Sequence, residues 1–490
     1  MSRLASPTLT TSLCVLAITS LASACTSPAD EGDDEIGESE ASTGGETTAG
    51  ETTSETGEEL GPTWHRDIAP LIHEKCVGCH VEGGIGPFSL DGYAAAAPWA
   101  SLALDAIVNH QMPPWGQDDT EDCQSRLPFL NDTRFTDEQT DLLAAWIDAG
   151  TPEGDPASAA PLPEPPATEL VDADHSFPIP SSIDIGPGSD QLWCFVIDPQ
   201  FAEDTFIDGM QIVPGNPSIV HHALVYVDET GESDALADAN GRYECFGGPE
   251  VDGSLIAVWA PGVPPQETPE GVAIQIPAAA KLVIQIHYHP TGALETDPDT
   301  SVAFREAEGV PAYIGQYALP GNEDSLDNSG YGLQPGPNDQ GEPEFRIPAG
   351  VQGHTERMLV PIPPLFSEAI IWQASSHMHY LGVDMRLGVD RFQPEPDTDI
   401  DEECFVQTPY YNFEWQRGYR YDGALADMPT VHPGDVLTLD CTFDNSMNNP
   451  HLAEALADQG LDAPVDVYLG EQTLDEMCLG VFGVAVEYSP

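Results

Sequence analysis

The chain has 490 residues, of which 83 are acidic and 14 are basic, for a formal net charge of −69 at pH 7. At about 100–200 residues per domain, this length predicts roughly three folded units with a sizeable core. A surface this negative repels phosphate backbones and anionic headgroups, which excludes nucleic acid and electrostatic membrane binding from the expected interactions. A solvated acidic shell accounts for the charge, and a specific cationic partner is the alternative.

An export signal is the first element predicted along the chain. Residues 1–25 contain one arginine, an apolar stretch and small residues before Cys25, which is typical of bacterial export. Residues 21–25, Leu-Ala-Ser-Ala-Cys, resemble a lipobox, in which the cysteine is lipidated and becomes the new N-terminus. No later segment is apolar over the ~20 residues that a span needs, so we expect a cell-envelope lipoprotein, in the periplasm or at the outer membrane, held by lipid alone. Ala22 departs from the common lipobox pattern and leaves simple secretion open.

Two polar segments flank the first predicted folded unit. Residues 26–61 are almost wholly Ser, Thr, Gly, Glu, Asp and Ala, a composition that predicts a disordered acidic spacer. Residues 151–168 are rich in proline and predict a linker without helix or strand. Between them, Thr136 and Gln139 have the spacing of a capping box at the start of an amphipathic helix. The intervening unit, residues 62–150, is therefore predicted to be helical.

From residue 169 onward, short apolar runs alternate with clusters of Gly, Pro, Asn and Asp. Many short strands with such turns favour β-sandwiches. The long polar stretch 320–345 suggests a boundary, so we place one sandwich domain at 169–340 and a second at 341–490.

A haem attachment motif lies in the predicted helical unit. In residues 76–80, Cys-Val-Gly-Cys-His, two thiols are spaced to form thioethers with a c-type haem, and His80 follows to take an axial position. Met112 is the expected second axial ligand, which would raise the haem potential relative to two histidines, and His110 is the alternative. With these motifs, residues 62–150 resemble a small all-α cytochrome c domain. We therefore expect haem c bound through Cys76, Cys79, His80 and Met112.

Soft-metal ligands recur through the C-terminal two thirds of the chain. They are His221, His222, His287, His377, His379 and Met477. Imidazole suits copper in both oxidation states and a thioether favours Cu(I), so the order predicts two unequal copper sites. On a strand, His377 and His379 point to one face, whereas the adjacent His221 and His222 could share an ion only at a bulge or a strand end. His289 lies on the same face as His287, and geometry leaves the choice between them open.

Together these motifs, in this order, resemble the copper type II, ascorbate-dependent monooxygenases, the family of peptidylglycine α-hydroxylating monooxygenase and dopamine β-monooxygenase. The resemblance spans roughly residues 170–490 and is carried by residues 220–224, 283–288, 377–382 and 475–478. It implies two jelly-roll-like sandwich domains that face each other across a solvent-filled cleft. By residue-to-residue match, it implies an electron-storing copper on one triad and an oxygen-binding copper on the other. The first triad is His221, His222 and His287, and the second is His377, His379 and Met477.

The resemblance also implies a cysteine pairing in an oxidising compartment. It implies the pairs Cys194–Cys245 and Cys441–Cys478. Cys123 and Cys404 have no counterpart in the family, so they are either free or joined to each other.

Departures from the family pattern narrow the expected substrate. The peptide-amidating members hold a substrate carboxylate with an arginine, an asparagine and a tyrosine, and the matching positions here are Ser375, Leu479 and Val481. A carboxylate-ended peptide finds no anchor there, so we expect a neutral or aromatic small molecule.

We thus expect a monooxygenase that hydroxylates a C–H bond with O₂. Its cofactors would be two copper ions and a haem c, with electrons from ascorbate, another reductant or an electron donor acting through the haem. The alternative is a non-catalytic copper-binding or electron-relay lipoprotein of the envelope.

Overall fold

The computed structural model describes residues 61–489 except 83, 85, 164–168, 189, 262, 395–400, 471 and 473. The predicted export signal, Cys25 and residues 26–60 of the predicted spacer lie outside the described residues. Within the described ranges, no helix is both long and apolar enough to cross a bilayer.

The helices are short and lie mostly before residue 150. They are α1 (Ala69–Lys75), α2 (Tyr93–Ala96), α3 (Ala100–Val108), α4 (Asp137–Asp148), α5 (Ser233–Leu236) and α6 (Pro450–Asp458). Helix α4 begins at the predicted capping box: Gln139 N–H donates to the Thr136 hydroxyl at 3.2 Å, and the Gln139 side chain accepts from Thr136 N–H at 3.0 Å. Its Leu143 and Trp146 pack on Trp64 and Ile68 in a small core of this helical segment.

Two runs of strands follow the proline-rich segment. The first sandwich comprises β1 (His175–Pro178), β2 (Ile183–Ile185), β3 (Gln191–Ile197), β4 (Thr205–Val213), β5 (Val220–Asp228), β6 (Arg242–Glu244), β7 (Ser254–Trp259), β8 (Gln266–Glu267), β9 (Val272–Ile276), β10 (Lys281–Tyr288), β11 (Glu295–Asp297), β12 (Ser301–Glu306) and β13 (Tyr313–Ala318). The second sandwich comprises β14 (Gly332–Leu333), β15 (Arg346–Ile347), β16 (Gln352–Pro361), β17 (Ala369–His377), β18 (Gly382–Asp390), β19 (Glu402–Thr408), β20 (Tyr419–Arg420), β21 (Thr430–Val431), β22 (Val436–Asp444), β23 (Val467–Tyr468) and β24 (Leu479–Glu487).

One large sheet runs through both sandwiches in the order β1-β12-β4-β9-β13-β24-β17-β20. The sheet β6-β3-β10-β5-β7 covers it in the first sandwich, and β14-β16-β22-β18-β19 covers it in the second. The join is the antiparallel pair β13 and β24, whose register sets Tyr313 opposite Glu487 and Ala318 opposite Phe482. Because the last strand of the chain completes this shared sheet, the two sandwiches are continuous.

The segment between α3 and α4 belongs to the second sandwich. Residues 113–130, here called the strap, place Trp115 and Phe129 in the second sandwich's hydrophobic core, each 5 % exposed. Leu130 N–H donates to the Arg420 carbonyl at 2.8 Å, and Cys123 is disulfide-bonded to Cys404. The strap is therefore a structural part of the β architecture.

The predicted fold class is therefore wrong. It placed a separate small all-α cytochrome c-like domain before two all-β jelly-roll-like sandwich domains. The chain is instead mostly β-sandwich with a few short helices, and the strap of the supposed all-α domain fills the second sandwich's core. The two sandwiches also share one sheet. Apolar side chains such as Trp115 give no local sign that their partners lie about 300 residues away.

Candidate metal centres

A β-bulge brings the first three histidines together. Strand β10 pairs with β5 so that His287 lies opposite His222, and the next pair is Tyr288 with Val220. His221 is therefore the extra residue of a bulge, which turns it toward the same side as His222. The Nδ1 atom of His222 lies 3.2 Å from Nδ1 of His221 and 3.2 Å from Nδ1 of His287. Three nitrogens that converge this closely form a ready set of ligands, and we call this group the first centre.

Carboxylates hold the outer nitrogens of the first centre. Nε2 of His287 lies 2.7 Å from Oδ2 of Asp190, and Nε2 of His221 lies 3.3 Å from Oε2 of Glu414. Asp190 also contacts His289 Nδ1 at 2.9 Å. His289 is therefore linked to the nitrogen cluster through the Asp190 carboxylate. Burial raises the pKa of Asp190, but the hydrogen bonds and charges of His287 and His289 together outweigh burial, and the net pKa is lowered. The outer groups leave Nδ1 of His221 and His287 free to accept a metal ion.

The histidines of the first centre lie near those of the second. Desolvation lowers the pKa of His222 well below its usual value, and the neighbouring His287 and His221 lower it further. His377 and His379 contribute in the same direction. The two groups lie close together because Glu414 contacts His221 and Gln416, two residues further on, contacts His377. At neutral pH His222 is therefore uncharged and keeps a lone pair for a metal ion.

His377 and His379, at the end of β17, are held by their Nδ1 atoms, whereas the first centre is held by Nε2. Nδ1 of His377 lies 2.6 Å from Oε1 of Gln416, and Nδ1 of His379 lies 2.9 Å from the backbone carbonyl of Asp475. Nε2 is thus the nitrogen left on each ring for a metal ion. Burial, followed by the neighbouring His379, lowers the pKa of His377 to about 4, so this imidazole is also neutral at pH 7.

A buried carboxylate ties Met477 to these histidines. Glu476 accepts hydrogen bonds from N–H of His379 at 2.8 Å, of Leu381 at 2.7 Å and of Met477 at 3.1 Å. The next residue, Cys478, is disulfide-bonded to Cys441 on β22. The loop that carries Met477 is thereby fixed beside His377 and His379. We call these three residues the second centre.

The three positions that depart from the family pattern share a face with His377. Strand β17 pairs with β24 so that His377 lies opposite Leu479 and Ser375 lies opposite Val481. Alternation along both strands puts all four side chains on the same side of the sheet. The wall beside the second centre therefore presents a small hydroxyl and two aliphatic side chains.

One loop contacts both centres. Residues 409–418, here called the bridging loop, carry Glu414 to His221 and Gln416 to His377. The ring of Phe413 lies 5.9 Å from that of His379. Since Glu414 belongs to the second sandwich and His221 to the first, a side chain crosses the space where the resemblance implies a solvent-filled cleft.

The Cys-x-x-Cys-His motif keeps the atoms that a covalently attached haem needs. Cys76 and Cys79 are both free thiols, and burial, followed by the neighbouring Cys79, raises the pKa of Cys76 to about 12. Nδ1 of His80 lies 3.0 Å from the Phe88 carbonyl, which leaves Nε2 to bind iron. The Phe88 ring stacks on Trp99 at 4.2 Å, so aromatic side chains border the motif. These residues fit a haem c.

The two candidate second axial ligands follow α3. Met112 is 36 % exposed, and its N–H donates to the Ala106 carbonyl at 3.2 Å. His110 instead stacks on Tyr410 of the bridging loop, with ring centroids 3.6 Å apart. Burial raises the pKa of the Cys79 thiol, and the positive charge of Arg417 in the same loop partly opposes that shift.

The described residues form three disulfide bonds. Cys194–Cys245 and Cys441–Cys478 are the pairs that the resemblance implies, and Cys123–Cys404 is the bridge that the sequence left as one of two alternatives. Disulfides persist in oxidising compartments, so these bonds fit an exported protein.

Four residues that hold the two centres in place were not predicted from the sequence. They are Asp190, Glu414, Gln416 and Glu476. Glu476 lies inside the matched Asp-Glu-Met-Cys run, and its position next to Met477 was the one signal in the sequence that could have identified it. The other three lie on loops whose position depends on long-range packing.

No protein-family model matches the chain, and no curated protein matches it. The major capsid protein P2 of bacteriophage PM2 is 9 % identical with a TM-score of 0.22, over 64 % of this chain and 98 % of that chain. The structure of Broad Bean Stain Virus is 10 % identical with a TM-score of 0.25, over 66 % and 91 %. The CBM22 tandem domain of Paenibacillus barcinonensis Xyn10C is 8 % identical with a TM-score of 0.14, over 62 % and 82 %. At these TM-scores the similarities support no argument about fold or function.

Proposed function

We propose that the protein is a copper-dependent monooxygenase that hydroxylates a C–H bond of a neutral small molecule. The observation that carries this proposal is the pair of neighbouring imidazole groups with opposite free nitrogens, Nδ1 in the first centre and Nε2 in the second. Bound copper would supply the one-electron chemistry. One atom of O₂ enters the C–H bond, and the other leaves as water after uptake of two electrons and two protons from an external reductant.

The chain's own residues would orient the ligand imidazoles, contact the substrate and hold the haem. Asp190 and Glu414 orient the imidazoles of the first centre, and Gln416 and the backbone carbonyl of Asp475 orient those of the second. Glu476 fixes the backbone that carries His379 and Met477. The face formed by Ser375, Leu479 and Val481 would hold the substrate by apolar contact, since it offers no cation for a carboxylate. Cys76, Cys79 and His80 would hold a haem c as an entry point for electrons. The bridging loop supports that role because its Tyr410 stacks on His110, two residues before Met112, while its Gln416 contacts His377.

Isotope labelling tests the proposal on the full-length protein. Copper-loaded protein is supplied with ¹⁸O₂, a reductant and a panel of aromatic, amine and lipid-like molecules, and products are analysed by mass spectrometry. We expect two copper ions per chain and a product with a single ¹⁸O atom.

Matched variants complete the test. We expect His379→Ala to abolish the labelled product. His432→Ala should leave product formation unchanged, because His432 pairs with Glu368 at the surface of the second sandwich. Binding of two copper ions without any labelled product from the panel would favour the alternative of a copper-binding or relay protein.

A further inference from the structure

The two centres differ in the charge of the groups that hold their outer nitrogens. In the first centre, Asp190 and Glu414 place carboxylate oxygens 2.7 Å and 3.3 Å from the Nε2 atoms of two ligand histidines. In the second centre, the corresponding partners of Nδ1 are the side-chain amide of Gln416 and a backbone carbonyl. Two carboxylates therefore contact the outer nitrogens of the first centre, and two neutral acceptors contact those of the second.

Charge at this position changes the metal's preference between oxidation states. A carboxylate that accepts the outer N–H makes the imidazole a stronger donor and adds negative charge near the ion. Both effects stabilise Cu(II) relative to Cu(I), since the more highly charged ion gains more from a negative neighbour. A neutral acceptor does this less, and the thioether of Met477 favours Cu(I). The two effects act in opposite directions at the two centres.

We propose that Asp190 and Glu414 are positioning residues that keep the reduction potential of the first centre below that of the second, and so set the direction of electron transfer. This inference rests on the proposed function. With copper bound at both centres, Asp190 and Glu414 would make the first centre the electron donor and the second centre the acceptor. A reductant of the ascorbate or ferrous-haem class restores the first centre.

The bridging loop carries both the charged partner of the first centre, Glu414, and the neutral partner of the second, Gln416. Glu414 and Gln416 are two residues apart, and Glu414 N–H donates to the Asn412 side chain at 2.9 Å. Arg417 donates to the Pro114 carbonyl at 2.9 Å and lies 5.0 Å from the Trp115 ring centroid. The loop is therefore anchored to the strap, which holds the charged residue at the first centre and the neutral one at the second.

An EPR-monitored redox titration of the copper-loaded full chain tests the inference. To observe the first centre alone, each variant is made in a His379→Ala background, which removes a ligand of the second. We expect Asp190→Asn and Glu414→Gln each to raise the midpoint potential of the first centre. The ratio of its Cu(II) to Cu(I) affinity should fall by about tenfold or more, the scale of changes seen when a metal ligand loses its outer partner.

Glu306→Gln is the matched control for these variants. It removes a carboxylate that lies 2.6 Å from Nε2 of His175 in the same sandwich, away from both centres, so the potential should stay at the wild-type value. A midpoint that moves equally in the control, or that moves in neither variant, overturns the inference while leaving the copper sites intact. Failure of the parent protein to bind copper at the first centre overturns the proposed function and this inference with it.

A charge swap provides a second measurement that depends on the same geometry. The double variant Glu414→Gln with Gln416→Glu keeps the composition of the bridging loop and moves one negative charge from the first centre to the second. We expect the difference between the two midpoint potentials to shrink or reverse. An unchanged difference in a folded protein that binds two copper ions contradicts the inference.

Discussion

Cys123 is disulfide-bonded to Cys404, 281 residues further along the chain. Cys123 lies in the strap and Cys404 in β19, at the edge of the second sandwich, and the two residues are 2 % and 7 % exposed. Arg126 of the strap also forms a two-point hydrogen bond with Glu403, at 2.6 Å and 2.8 Å. The strap is thus fastened to the sandwich by covalent and ionic contacts next to each other.

Loss of this bond should destabilise the whole β architecture. We expect Cys123→Ser with Cys404→Ser to lower the free energy of unfolding by about 2–4 kcal/mol, because the unfolded chain regains the freedom of a long loop. Denaturant unfolding of the copper-free protein, followed by circular dichroism, measures the change. The control is Cys194→Ser with Cys245→Ser, whose separation of 51 residues predicts a smaller entropic loss. A larger loss in the control would argue against this account.

Phe129 tests whether the strap completes the second sandwich. Its ring lies 5.1 Å from that of Tyr421 and 5.7 Å from that of Tyr419, and it is 5 % exposed. We expect Phe129→Ala to cost about 3–5 kcal/mol because it leaves a cavity in that core. Phe392→Ala is the control, since Phe392 is 72 % exposed in the same sandwich. If thermal unfolding of the sheets were unchanged in Phe129→Ala, the strap would be independent of the sandwich.

Local sequence patterns predicted two local features that the structure contains. The capping box at Thr136 formed because it needs only neighbouring residues. The adjacent His221 and His222 required a bulge to share an ion, and the register of β5 and β10 contains one. Each of these features depends on contacts within a few residues or between paired strands.

Features that depend on distant contacts were not predictable in the same way. Phe129 looks like any apolar residue of a helical unit, and its burial against Tyr421 depends on packing between segments almost 300 residues apart. Glu414 lies in an aromatic-rich stretch without a motif, and only the folded bridging loop brings it to His221. The joining of β13 to β24 likewise makes one sheet from strands that the sequence places in separate domains.

Asp228, at the end of the strand that carries His221 and His222, gives a pH-dependent contribution to stability. Burial raises its pKa, but hydrogen bonds from Ser233, Thr230 and Gly231 outweigh burial and lower the pKa to about 2. Because this folded-state pKa lies below the ~3.9 of an unfolded aspartate, the stabilisation is complete above about pH 4 and is lost as pH falls towards 2.

The difference between wild type and Asp228→Asn measures this contribution. We expect wild type to be more stable by up to about 2 kcal/mol at pH 5–7, with the difference shrinking between pH 4 and 2. Thr230→Val keeps the carboxylate and removes the donor at 2.7 Å, so it should show a smaller difference that disappears over the same pH range. A difference that stays constant down to pH 2 would show that ionisation of Asp228 does not stabilise the fold.

Glu476 should control copper binding at the second centre without being a ligand. One carboxyl oxygen accepts from both His379 and Met477, and the other accepts from Leu381, so these hydrogen bonds hold two ligand-bearing backbones in one arrangement. Burial raises the pKa of Glu476 to about 8, so the hydrogen bonds and not a fixed charge carry this role. In Glu476→Gln one of these oxygens becomes an NH₂ group, which faces a backbone N–H with no acceptor between them. We expect copper affinity at the second centre to fall by about 10–100-fold, the effect of losing an outer partner, while the first centre keeps its affinity. Competition with a Cu(I) chelator measures both centres in one experiment, and an equal loss at the two centres would show that Glu476 supports the general fold rather than the second centre.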